Sequence, residues 1–121
     1  MNHAKSPDTD FSAYFARAVL SLRAGETDIA YPFILDAMRL DPDAAAPHNL
    51  LGIYYEQRGN GDKARRHYRA AYSLDPTYRP ACRNLEQITL LYIQSLPHVY
   101  DYGDSFEDDT SKQRKHGFKC N

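Results

Sequence analysis

Apolar side chains recur along most of this chain at intervals of three and four residues, and glycines or Asp-Pro pairs interrupt them at regular places. That spacing gathers apolar groups on one face of an α-helix. Tyr14, Phe15, Ala18, Val19 and Leu22 predict a helix over residues 11–24. Asp10 opens it, because its carboxylate accepts the free N–H groups of the first turn, and Gly25 closes it. Ile34, Ala37 and Met38 predict a second helix over 28–40. Asp41-Pro42 ends it, since proline cannot continue a helix and restricts the residue before it. Pro32 falls inside this run and removes one backbone bond, so a delayed start or a slight bend is expected. Further helices are predicted over 45–58, 62–74 and 78–96, with Pro47 and Pro80 in the first turns of the third and fifth. Gly52 costs about 1 kcal/mol against alanine in a helix interior, which makes sense where a neighbouring helix approaches closely. Ala64 and Ala71 permit the same approach.

The punctuation repeats. Gly25 and Gly59 stand 34 residues apart (59 − 25 = 34), and so do Asp28 and Asp62, Ala30 and Ala64, Ala37 and Ala71, Leu40 and Leu74, and Pro42 and Pro76. A fixed period of this length marks an array of helical hairpins. The expected fold is all-α: two hairpins and a C-terminal capping helix over residues 11–96, a disordered leader over 1–10 and a disordered charged tail over 97–121. Ile88, Leu91 and Ile93 widen the apolar surface of the fifth helix beyond one stripe. Something must cover them, and the candidates are the stretch Pro97 to Tyr102, a second copy of the chain, or a partner.

The stretch from Leu50 to Pro76 resembles the tetratricopeptide repeat family. Leu51, Gly52, Tyr55, Ala64, Tyr68, Ala71 and Pro76 fill that family's motif, with Tyr68 for its Phe and His48 where its Trp would stand. In the preceding repeat Ala30, Ile34, Ala37 and Pro42 fit, whereas Arg17, Ala18 and Ser21 replace Leu, Gly and Tyr. The resemblance covers roughly residues 11–96 and implies a right-handed stack whose first helices line a concave groove. It puts Phe15, Val19 and Leu22, then Asn49, Ile53 and Glu56, then Arg83, Gln87 and Leu90 on that groove.

An apolar floor with convergent polar groups suits an extended peptide or a helix. The expectation is a non-catalytic interaction module or small adaptor. Phe15, Val19, Ile53 and Leu90 would bury apolar surface, while Asn49, Arg83 and Gln87 fix register. The plainer alternative is that this surface packs on the chain's own leader or tail. Self-association through Ile88, Leu91 and Ile93 is the second functional reading, because an array end must be covered. One subset of the family grips the C-terminal carboxylate of chaperones. The matching positions here are Phe15, Val19, Leu50, Arg83 and Gln87; only Arg83 has a suitable charge, which argues against that grip.

Composition narrows the partner class. The chain has 121 residues, 42% hydrophobic and 26% charged, with a net charge of −1. A general nucleic-acid binder is usually basic, so the partner is expected to be a protein or peptide, with no nucleic acid. No apolar run approaches the roughly 20 residues that span a bilayer, so no membrane partner is expected. Met1 to Asp10 is polar and acidic, unlike a signal peptide. Cys82 and Cys120 make no metal spacing, and a reducing cytoplasm is the default.

Chemistry finds little foothold. Gly59-Asn60-Gly61-Asp62-Lys63 lacks the spacing and preceding strand of a phosphate loop, and an inter-helix turn explains it. None of His48, His67 and His98 pairs with another histidine at three or four residues, and no known catalytic arrangement surrounds them. The ten tyrosines suggest base stacking, but Tyr14, Tyr55, Tyr68 and Tyr92 fall at core spacing. No enzyme, metal or cofactor is expected.

Overall fold

The computed structural model describes residues 10–94 and 98–104, the side chains of 91–94 excepted. Among these residues the fold is five α-helices and no strand: α1 (Phe11–Arg23), α2 (Thr27–Leu40), α3 (Ala45–Gln57), α4 (Gly61–Leu74) and α5 (Arg79–Gln94). Every helix begins within one residue of its expected start. α1, α3 and α5 start 34 residues apart (45 − 11 = 34; 79 − 45 = 34), and so do α2 and α4 (61 − 27 = 34).

The two hairpin turns are chemically alike. Gly25 and Gly59 take φ of 75° and 80°, a left-handed conformation that glycine adopts without strain. The residue after each turns back to a carbonyl five positions earlier: the Glu26 N–H donates to Ser21 at 2.8 Å, and the Asn60 N–H donates to Tyr55 at 2.8 Å. This closes the last turn of α1 and of α3 and satisfies carbonyls the helices leave over. Asp10 caps α1 by accepting the Ala13 N–H at 2.8 Å, and Asn60 caps α4 by accepting that of Lys63 at 3.1 Å. α2 starts at Thr27 without delay, and Pro32 lies within it.

Small residues let the helices close on one another. Ala18, Ala30, Ala64 and Ala71 are fully or almost fully buried. Gly52 of α3 faces Tyr68 of α4, and a Cβ at Gly52 would fall inside the ring's van der Waals envelope. The main core takes Val19 and Leu22 from α1, Ile34 from α2, Leu50 and Ile53 from α3, and Tyr68 from α4. α5 packs on α4 and α3 and puts Ile88 into the same core.

One expectation changes. Residues 98–104, placed by their charge in a disordered tail, lie against the helices, and Tyr102 is buried in the main core. An aromatic ring and several side-chain amides hold this segment, which offsets the ordering cost that its polar composition alone would not. Residues 1–9 of the expected leader and 105–121 of the expected tail lie outside the described residues.

Candidate functional site: the concave face

The inner face of α3 and α5 carries two buried asparagines, Asn49 and Asn84. Their amides bond to each other and to one peptide unit. Asn84 Nδ2 donates to Asn49 Oδ1 at 2.8 Å and to the carbonyl of Asp101 at 2.8 Å, and Asn49 Nδ2 donates to that carbonyl at 3.0 Å. Asn84 Oδ1 in turn accepts the Asp101 N–H at 2.9 Å. One side chain thereby satisfies both backbone groups of Asp101, and no element of regular structure is required to do so.

Gln87, one turn further along α5, holds Val99 in the same two-point manner. Its Nε2 donates to the Val99 carbonyl at 3.2 Å, and its Oε1 faces the Val99 N–H at 3.5 Å. Two residues of extended chain advance about 6.7 Å, and three residues of helix advance about 4.5 Å. The longer glutamine side chain bridges the mismatch. The segment runs antiparallel to α5, since Val99 meets Gln87 and Asp101 meets Asn84.

Side chains of the segment alternate as those of a strand do. His98, Tyr100 and Tyr102 turn toward the helices. Their rings pack in sequence, His98 to Tyr100 at 4.6 Å and Tyr100 to Tyr102 at 6.1 Å between centroids. Val99 turns away and is 75% exposed. The Asp101 carboxylate accepts from Arg83 at 2.8 Å and from the Gly103 N–H at 3.0 Å.

Both ends of the segment are fixed by contacts with carboxylates. His98 Nδ1 lies 2.7 Å from Glu56 Oε2, while the other Glu56 oxygen accepts from the Tyr68 hydroxyl at 2.6 Å. Burial, reinforced by Glu56, pushes the Tyr68 phenol far above its ordinary range. At the far end Arg23 donates to both carboxylate oxygens of Asp104, at 2.7 and 3.0 Å. Its guanidinium also lies 4.4 Å from the Tyr102 ring centroid, within cation–π range. Tyr100 is pushed up to about 12, by burial first and then by Glu56.

Gly103 takes φ of 82° and lies so close to the Tyr78 hydroxyl that a Cβ would clash with it. That hydroxyl is buried and has no hydrogen-bond partner among the described residues.

The residues expected on the groove divide by polarity. Asn49, Glu56, Arg83 and Gln87 all bond to residues 98–101. Val19 and Ile53 are buried in the core beneath. Phe15 is half-buried and stacks on Phe11 at 6.3 Å, and Leu90 is 45% exposed. Of the residues assigned to self-association, Ile88 is buried inside the chain, while the side chains of Leu91 and Ile93 lie outside those described.

Asn84, Arg23 and Tyr78 were not singled out from the sequence. Carrying Asn49 forward by 34 lands on Arg83, one short of the residue that clamps the backbone. An asparagine amid the apolar residues of α5, a poor helix former in mid-helix, was the available signal.

On the opposite side of the α3–α4 hairpin, His48 and His67 meet with their Nδ1 atoms 3.2 Å apart. Among the described residues no group of three or more potential metal ligands gathers, and no helix is long and apolar enough to cross a membrane. A family model, the tetratricopeptide repeat, matches residues 45–78, the span of α3 and α4 with the turn that follows. No solved structure matches the chain.

Proposed function

Residues 45–78 are a tetratricopeptide repeat, a protein–protein interaction scaffold, and from that premise we propose that the concave face is a receptor for an extended protein segment. The supporting observation is the two-point hold of Asn84 on the backbone of Asp101. A clamp on peptide groups accepts extended chain whatever its side chains, and Gln87 repeats it two residues away. Arg83, Glu56 and Arg23 add charge selection around it. The activity is recognition rather than catalysis: the site's polar atoms are engaged in holding chain, and none is paired as nucleophile and base.

The test is affinity capture from native lysate with three full-length proteins. They are the wild type, a variant whose own segment is released (Asp101→Ala with Tyr102→Ser), and that variant with Asn84→Leu added. A protein retained by the released variant and lost with Asn84→Leu is expected. Identical captures from all three would contradict the reading.

A further inference from the structure

Resting on that reading, the geometry points to a ligand of defined chemistry: an extended segment with two carboxylates three residues apart, enclosing an aromatic residue and a glycine. Residues 101–104, Asp-Tyr-Gly-Asp, are the chain's own copy of it and compete with a partner for one site.

Each feature of this motif follows from a contact. The first carboxylate meets Arg83 at 2.8 Å. The second meets Arg23 at 2.7 Å, on α1 at the far side of the groove. The aromatic residue between them is buried under the same Arg23 guanidinium. Glycine is required next because the backbone is left-handed there and Tyr78 leaves no room for a Cβ. Val99, by contrast, is gripped through its backbone and points to solvent, so its position is unselective. The groove therefore reads charge at two points, an aromatic at one and the lack of a side chain at another.

The internal copy follows α5 after only residues 95–97, three in number. A tether that short gives an effective concentration on the order of millimolar. A partner binds only the fraction of molecules whose groove is open, and its apparent affinity falls by that fraction.

The experiment uses a fluorescein-labelled peptide, His-Val-Tyr-Asp-Tyr-Gly-Asp, read by fluorescence anisotropy against full-length proteins. The released variant, Asp101→Ala with Tyr102→Ser, is expected to bind it about tenfold or more tightly than the wild type. Replacing both peptide aspartates by lysine, or the peptide glycine by valine, is expected to abolish binding. Equal affinity for wild type and released variant, or for the aspartate and lysine peptides, would overturn the inference. Gly103→Val serves as a second released variant should the first lose helicity by circular dichroism. A wild-type dimer in sedimentation that the peptide dissociates would assign the groove to the segment of a second copy and overturn the proposed partner. If the released variant captures a lysate protein through Asn84 yet ignores this peptide, the motif fails and the receptor reading stands. If neither occurs, both fail.

Discussion

Glu56 joins three parts of the chain through its two oxygens, one to Tyr68 on α4 and one to His98 in the groove segment. Tyr68→Phe removes the donor and leaves a buried carboxylate oxygen short of a partner, and a loss of about 1–3 kcal/mol is expected in urea unfolding. An unchanged midpoint would show that water replaces the phenol. Gly52 presents the opposite situation, a missing atom rather than a present one. Alanine there gains about 1 kcal/mol of helix propensity. It also meets the buried Tyr68 ring, which has nowhere to move, and overpacking costs roughly 1–3 kcal/mol. Net destabilisation of Gly52→Ala is the expected outcome; a rise in melting temperature would contradict it. At this scale Gly52, Ala64 and Ala71 were readable in the sequence, because small residues at regular spacing imply close helices. The Glu56–His98 contact was not, since its partners are 42 residues apart and no local rule links them.

The helices were legible because each is bounded by residues with a physical reason to stop it: Gly25, Asp41-Pro42, Gly59 and Asp75-Pro76. The segment at 98–104 was legible only in part: the stretch Pro97 to Tyr102 stood among the candidates to cover the fifth helix, and the chain's own tail among those for the inner face, but its extended course did not show. Its every-second aromatic pattern, His98, Tyr100 and Tyr102, is a strand-like signal, but the acidic residues within it and after it, Asp101, Asp104, Glu107, Asp108 and Asp109, made the whole tail look solvated. Pairing across the α3–α4 hairpin has a pH consequence. His48 is held below the ordinary imidazole value of 6.5 by burial, and His67 by burial first and then by the His48 and Lys63 charges. Tyr55 stacks on His67, and Lys63 lies over Tyr55. Both imidazoles are therefore favoured neutral in the folded protein. Below pH 6.5 the unfolded chain binds more protons than the folded one, so stability is full above 6.5 and falls as pH drops through the folded values. His48→Gln with His67→Asn is expected to flatten the fall in urea midpoint below pH 6.5. An equal fall in both proteins would assign it to other groups.

Across the described residues, two helical hairpins and α5 present a face shared by α1, α3 and α5, and residues 98–104 lie against it. The groove floor is set by core packing, whereas the clamp is set by three amides, Asn49, Asn84 and Gln87, and the charges of Arg83 and Arg23. Gly103→Ala separates these two contributions. It strains the segment at its left-handed turn and presses on Tyr78, just before α5, while leaving the helical core residues unchanged, so helicity is expected to persist while the segment is released. Loss of Tyr102 burial is read by faster iodination or quenching of its ring; an unchanged rate would mean the Tyr78 contact does not define the turn. The central claim is that Asn84 holds the segment in the groove by its backbone, and amide hydrogen exchange at Asp101 tests it most directly. That N–H donates to a buried oxygen, so exchange is expected to be slowed more than about tenfold relative to an open chain, with the protection lost in Asn84→Leu while α3 and α4 stay protected. Asp101 exchanging at the open-chain rate in the wild type would contradict the account.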